Sequence, residues 1–250
     1  MPDGLTDLLA YDGLVWLIAT VFIAGAVRGF SGFGTALVYL PVAGMFMPPV
    51  WALTTLVVMD VFGPIPNLPR ARRDGRLADV GRMWLGTIVA LPIGLLVLYS
   101  VDPGIFRYAV CGIALLVPLL LASGLRLRGQ ITPALQISTG GIAGFLGGVA
   151  GMPGPPVILM HMASTEPAQL IRANIMMYLF AFDATLLSLL GIQGKLELLP
   201  ILIGLALAVP NLLGNLAGGA MFRPERQRLY RLVGYGITMA AALSGLPIWE

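Results

Sequence analysis

The sequence is poor in charge, in cysteine and in histidine. Only 11% of its 250 residues are charged and 58% are hydrophobic, whereas an ordinary soluble domain carries about 25% charged residues. Cys111 is the only cysteine, which excludes an internal disulfide and a thiolate cluster. His161 is the only histidine, so haem pairs and multi-histidine metal sites are not expected. A chain with so few charged residues cannot cover the surface of a soluble protein with polar side chains. With one cysteine and one histidine, we expect neither a metal nor a cofactor.

Long apolar stretches occupy most of the chain. Apolar runs of about 20 residues are typical of membrane spans. All of them should be helical, because the bilayer core offers no water to unpaired backbone groups. The sequence therefore predicts an all-α integral membrane protein. The apolar stretches cover residues 14–47, 50–69, 81–101, 105–122, 133–164, 169–191, 197–222 and 230–248.

Two of these stretches, 14–47 and 133–164, are too long for one ordinary span. Glycine interrupts each near its middle: residues 28–34 read RGFSGFG, and residues 147–156 read GGVAGMPGPP. Glycine costs about 1 kcal/mol and proline about 3 kcal/mol in a helix interior. We therefore expect each long stretch to form two helical segments, joined by non-helical backbone at membrane depth.

Arginine is concentrated in three clusters, each at a connection between apolar stretches or directly beside it. The positive-inside rule assigns all three connections to the cytoplasmic side. This requires that each long stretch either enters the membrane and returns to the same side or crosses the membrane twice. Both termini then lie on the external side. The arginines form no continuous basic face, so no nucleic-acid partner is expected. The three clusters are Arg70, Arg72, Arg73, Arg76 and Arg82; Arg126 and Arg128; and Arg223, Arg226, Arg228 and Arg231.

A weak internal repeat relates the two halves of the chain. The segment 23–25 (IAG) returns as 142–144, and Gly29 and Gly32 match Gly148 and Gly151 at the same offset. Since each half would cross the membrane an odd number of times, the second half would be inverted. We therefore predict one integrated membrane domain with two inverted repeats, 1–125 and 126–250. Each repeat has a glycine-broken first helix followed by three spans.

The two glycine-rich breaks are the predicted binding site for a small anion. The first turn of a half-helix presents free N–H groups and the positive end of the helix dipole, and glycine allows close approach of a ligand. The alternative is that the glycines serve only close helix packing. The candidate residues are Arg28, Gly29, Ser31, Gly32 and Gly34 in the first break, and Gly148, Gly151 and Gly154 in the second.

Three of the charged residues within the apolar stretches are candidates for a functional role. An arginine or aspartate at the centre of a membrane helix costs about 2.5–3.5 kcal/mol, so such residues usually face a cavity or a partner. Arg28 either contributes to the anion site or reaches the cytoplasmic surface with its long side chain. Asp60 and Asp183 each lie in the span after a break. They are candidates for proton coupling, and the alternative is a structural hydrogen bond or a position near a span end.

Three asparagines are further candidates for substrate binding. Asn211 and Asn215 are one helical turn apart and share a face, and Asn174 begins the span after the second break. An asparagine offers donors and acceptors without a charge. Binding of a neighbouring helix is an equally good explanation for each of the three.

At these residues the sequence resembles the TauE/SafE sulfite exporter family of small bacterial permeases. The resemblance is carried by 25–34, by 144–156 and by the segment LIRAN at 170–174. It implies transport of sulfite, sulfonates or related anions across the bacterial inner membrane, so that the external termini would be periplasmic. The resemblance is also compatible with a homodimer, and it implies that membrane lipids surround the protein. Asn174 stands where the family usually has threonine, and Met152–Pro156 is richer in proline than the family pattern.

Alternating access around the anion is the leading hypothesis from the sequence, and three other functions compete with it. A passive anion channel would need the same residues. An intramembrane hydrolase would need a nucleophile and a base in hydrogen-bond reach, and Ser31 with His161 is the Ser–His pair nearest the two breaks. A subunit without its own substrate is less compatible with costly polar groups inside the apolar stretches.

Overall fold

The structure is a computed structural model. It describes residues 8, 10–31, 34–123, 131–162, 166–221, 223 and 227–248, and these residues contain helices and no strands. The helices are α1 Leu14–Ser31, α2 Thr35–Phe46, α3 Pro49–Val61, α4 Leu68–Asp74, α5 Leu77–Ser100, α6 Pro103–Ala122, α7 Pro133–Ala150, α8 Gly154–Met162, α9 Ala168–Ile192, α10 Leu198–Met221 and α11 Gln227–Gly245, with one 3-10 turn at Ile65–Asn67.

Each long apolar stretch forms two helices. Gly34 separates α1 from α2 with φ 115°, and Gly151 ends α7 with φ 66°. Both angles lie in the left-handed region, which glycine adopts without the steric penalty of a side chain. The breaks are narrower than the glycine-rich segments, because α1 continues through residue 31 and α7 continues through Ala150.

The apolar stretch 50–69 is not one helix. Helix α3 ends at Val61, and a turn and the 3-10 segment follow before α4 begins. Gly63, Pro64, Pro66 and Pro69 explain the interruption, since proline cannot donate to the helical ladder and glycine weakens it.

Four of the described helices are long and apolar enough to cross a membrane. They are the segments Leu77–Ser100, Pro103–Ala122, Gln169–Ile192 and Leu198–Met221. Shorter apolar helices occur at Leu14–Phe30, Thr35–Phe46, Pro49–Val61 and Leu232–Gly245. These lengths agree with the prediction of an all-α membrane protein.

The chain divides into two compact units. Unit 1 comprises residues 1–59, 102–119 and 195–250. Within it, α1 packs along α10, and α2 contacts both α1 and α11. The crossing of α1 and α10 is close, since a Cβ added to Gly214 or Gly218 would overlap the carbonyl oxygen of Phe22 or Ala26. Small residues permit such backbone contact between membrane helices.

Unit 2 comprises residues 60–101 and 120–194. Within it, α5 packs along α7, and α9 contacts α4, α5 and α8. Glycine again lines the main crossing, because a Cβ on Gly86 would overlap the carbonyl oxygen of Ile137 and one on Gly140 that of Met83. Each unit thus contains helices from both halves of the sequence. The inverted repeat with halves 1–125 and 126–250 stays a prediction.

Candidate functional site

The break in unit 1 combines a cationic side chain with the start of a helix. Arg28 lies half-buried in the last turn of α1, and its Nη1 donates a hydrogen bond to Oγ1 of Thr35 at 3.4 Å. Thr35 is buried and opens α2. The N–H of Val38 donates to the carbonyl of Gly34 at 3.0 Å, so the N–H groups of the preceding turn are directed towards the break. Positive charge from the guanidinium and from the helix dipole meets here.

The two asparagines of α10 lie beside the helix that carries Arg28. A Cβ on Gly25 would overlap the carbonyl oxygen of Asn211, and one on Gly29 would overlap that of Asn215. Asn211 is buried and Asn215 is half-buried. Gly29 therefore serves the close packing of α1 on α10. Contact of Gly29 or the asparagines with a substrate stays a prediction.

The break in unit 2 contains the other predicted glycines. A Cβ on Gly148 would lie 2.7 Å from the carbonyl oxygen of Leu91, so Gly148 is required for packing of α7 on α5. Gly151 caps α7 with its left-handed backbone, and Gly154 is the first residue of α8. A Cβ on Gly154 would make only an ordinary contact, at 3.9 Å from Cδ1 of Ile158.

Asn174 stabilises the connection between α4 and α5. Its Oδ1 accepts a hydrogen bond from the backbone N–H of Arg76 at 2.8 Å, and the side chain is only 1% exposed. The Nη1 of Arg76 in turn forms an ion pair with Oε1 of Glu166 at 2.6 Å. The structure thus places Asn174 against a backbone group of its own unit, and a contact with substrate stays a prediction.

The remaining predicted residues fall in different places. Asp60 lies half-buried near the end of α3, and Asp183 lies half-buried in the middle of α9. Ser31 ends α1, but its side chain and Gly32 lie outside the described residues. His161 is buried on α8, and neither ring nitrogen has a hydrogen-bond partner among the described residues.

Sequence reasoning did not predict several buried hydroxyl contacts. Tyr39 and Thr55 share a hydrogen bond at 2.7 Å, as do Thr87 and Tyr178 at 2.8 Å. Each pair joins helices that are far apart in sequence or separated by a turn, so no local pattern indicates it. Thr35 did carry a local signal, because it directly follows a glycine-rich break and begins an apolar segment.

Comparison with known protein families decides the class of this membrane protein. A family model described as the sulfite exporter TauE/SafE matches residues 17–245. The chain belongs to this family. The matched TauE/SafE region includes both breaks, the three asparagines and the two aspartates. The TauE/SafE family is a family of membrane exporters for sulfite and related anions, not a family of enzymes, and the helices agree with a multi-pass protein. No curated protein and no solved structure matched the chain.

Proposed function

We propose that the protein is a secondary transporter for a small sulfur-containing or carboxylate anion, such as sulfite or an organosulfonate. Transport proceeds by alternating access across the bacterial inner membrane. Membership of the TauE/SafE family supports the class of substrate. The helices that end at glycine-rich breaks support the mechanism, since broken helices are a recurring feature of carriers that bind ions at membrane depth.

The observation that carries the proposal is the contact of Arg28, in the last turn of α1, with Thr35 at the start of α2. A half-buried guanidinium within an apolar helix is costly unless it faces a cavity or partner. Its Nη1 lies 3.4 Å from Oγ1 of Thr35, within the first turn of α2. An oxyanion in this break would accept hydrogen bonds from the guanidinium, from the threonine hydroxyl and from the first N–H groups of α2.

The second break has fewer backbone N–H donors than the first. Pro155 and Pro156 directly follow Gly154 at the start of α8 and have no N–H groups. The first turn of α2 contains no proline. We therefore assign the main contribution to anion binding to Arg28 and Thr35. Gly151 and Gly154 allow the backbone to bend and to approach the transported anion closely.

Sulfite flux into proteoliposomes tests this assignment. Arg28→Gln should slow sulfite flux at least tenfold, because it removes the charge and the forked donor, and Thr35→Val should slow it several-fold. Arg223 is exposed and basic but lies outside both breaks, so Arg223→Gln is the matched control and should keep flux within twofold. Wild-type flux in Arg28→Gln protein of normal melting temperature would refute the assignment.

Counterflow separates a carrier from a channel. A carrier should show saturable exchange of labelled sulfite against unlabelled sulfite inside the vesicles. Large unitary currents without saturation would instead establish a passive anion channel. Melting-temperature shifts with sulfite, sulfoacetate, taurine, sulfate and carboxylates would identify the ligand, because a compound that binds only the folded state stabilises it.

The orientation that we propose has the arginine-rich connections in the cytoplasm and both termini in the periplasm. The exposed arginines of α4 support this orientation through the positive-inside rule. Alkaline phosphatase fused after Glu250 should be active in cells, because this enzyme folds only outside the cytoplasm. An inactive phosphatase fusion together with a fluorescent cytoplasmic reporter at the same position would reverse the orientation.

A further inference from the structure

Unit 2 contains a groove, lined by charged, amide and apolar side chains, that the proposed transport mechanism does not use. The groove lies between α4 and the first turns of α9 and has a volume of about 400 Å³. Two exposed arginines, Arg70 and Arg172, line it from the two helices. The other lining residues are Asn67, Ala71, Asp74, Gln169, Ala173 and Met176.

The packing of α4 determines which of its side chains reach the groove. Ala71 belongs to the buried cluster of unit 2, which also includes Ala173 and Met177, and Leu68, one helical turn before Ala71, packs against this cluster. The arginines of α4 are therefore exposed. Arg70 reaches the groove, whereas Arg73 lines a separate surface depression with Leu68, Pro69 and Arg72.

The groove is expected at the boundary between lipid and water. Helix α4 lies in the connection between the apolar helix that ends at Val61 and the span that begins at Leu77. A connection that carries several arginines is too costly to place in the hydrocarbon core. The groove therefore opens at the depth of the phospholipid headgroups.

The lining favours a monoanionic phosphodiester that carries hydroxyl groups. Two guanidinium groups can each donate a pair of hydrogen bonds to phosphate oxygens. Asp74 repels a second negative charge, but it accepts hydrogen bonds from hydroxyl groups, and the amides of Asn67 and Gln169 can do both. Ala173 and Met176 add apolar surface for the glycerol backbone and the start of the acyl chains.

We propose that this groove binds the headgroup of an anionic phospholipid of the phosphatidylglycerol type. Arg70 and Arg172 hold the phosphodiester, and Asp74 with the two amides holds the headgroup hydroxyls. Basic residues beside a membrane attract anionic lipids, and the groove adds a defined geometry to that attraction. The groove belongs to unit 2, whereas Arg28 belongs to unit 1.

Lipid retention by the full chain tests the proposal. The purified protein is exchanged into nanodiscs or detergent with dioleoyl-phosphatidylglycerol or dioleoyl-phosphatidylcholine, and the bound lipid is counted by native mass spectrometry. Wild-type protein should retain phosphatidylglycerol at least tenfold better than phosphatidylcholine. Arg70→Gln combined with Arg172→Gln should remove this preference. The matched control Arg73→Gln, which changes the same helix but not the groove, should keep the preference within twofold of wild type.

Three results would overturn the proposal. An equal loss of preference in Arg73→Gln would show a general attraction of the basic surface. Displacement of the retained lipid by millimolar inorganic phosphate or sulfite would show that a free anion occupies the groove. Equal retention of the two lipids by wild type would show that no selective site exists. If the double glutamine variant does not fold, the double lysine variant decides, since it keeps the charge, loses the forked geometry and should lose most of the preference.

Discussion

The Nε of Arg107 donates a hydrogen bond to the carbonyl oxygen of Gly245 at 3.2 Å. This contact joins the first turns of α6 to the last residue of α11, and Arg107 is only 9% exposed. The last carbonyl groups of a helix have no intrahelical partner and form the negative end of its dipole. Gly245 also abuts α2, because a Cβ at this position would overlap the carbonyl oxygen of Pro41. Arg107 thus stabilises the meeting point of three helices in unit 1.

Removal of this charge should destabilise unit 1. Arg107→Met keeps much of the side-chain volume but leaves the Gly245 carbonyl without its charged donor. A hydrogen bond to a charged group contributes about 1.5–3 kcal/mol, so the apparent melting temperature in detergent should fall by several degrees. The exposed Arg223 provides the control, and Arg223→Met should change the melting temperature by less than one degree. Equal melting temperatures for the two variants would contradict a structural role of Arg107.

The helix breaks illustrate what the sequence could predict. The cost of glycine and proline in a helix identified the two segments that interrupt the long apolar stretches, and Gly34 and Gly151 have the positive φ angles that only glycine adopts easily. The same reasoning overestimated the length of the breaks. Gly29 and Gly148 remain helical because their missing side chains allow a neighbouring helix to approach. This packing role depends on a neighbouring helix that is distant in sequence. Helix propensity is a local property and does not predict that neighbour.

The candidate site shows the same limit for polar residues. Composition and position made Asn174 a candidate either for substrate binding or for binding a neighbouring helix, but they did not predict its partner, the N–H of Arg76, which lies 98 positions away. The bond between Thr87 and Tyr178 spans 91 positions. Such pairs follow from which helices become neighbours. Local patterns in a single sequence do not predict which helices become neighbours.

Substitution of two glycines on one helix separates packing from helix propensity. A Cβ on Gly86 would overlap the carbonyl oxygen of Ile137, whereas a Cβ on Gly81 would meet nothing within 4 Å. Gly86→Ala should therefore push α5 away from α7 and cost about 1–3 kcal/mol. Gly81→Ala should be neutral or stabilise by up to about 1 kcal/mol through helix propensity. Thermal melting in detergent measures both, and an unchanged melting temperature for Gly86→Ala would refute the close crossing.

We propose that Asp60 or Asp183 couples transport to protons. Both carboxyl groups are half-buried on helices of the matched TauE/SafE region, and asparagine keeps their shape without an exchangeable acidic proton. Asp60→Asn or Asp183→Asn should abolish the acceleration of sulfite flux by an imposed pH gradient, while counterflow at equal pH continues. Asp102 is exposed at the start of α6, so Asp102→Asn serves as the control. If the pH gradient still accelerates sulfite flux fully in both single variants and in the double variant, other residues couple transport to protons.

The polar junction of α4 and α5 allows a comparison between a buried amide and an exposed ion pair. Asn174 is 1% exposed and accepts the N–H of Arg76, whereas the side chains of the Arg76–Glu166 ion pair are 56% and 33% exposed. Asn174→Leu should lower stability by about 1–3 kcal/mol, because a buried amide is replaced and a backbone donor loses its acceptor. Glu166→Gln should cost less than about 1 kcal/mol.

Salt concentration distinguishes these two contributions. The effect of Glu166→Gln should disappear when melting is measured in 1 M salt, where the screening length falls to about 3 Å. The effect of Asn174→Leu should persist, because the hydrogen bond that it removes joins neutral groups. If the penalty of Asn174→Leu also vanished in high salt, the amide would act through the neighbouring charges rather than through the N–H of Arg76.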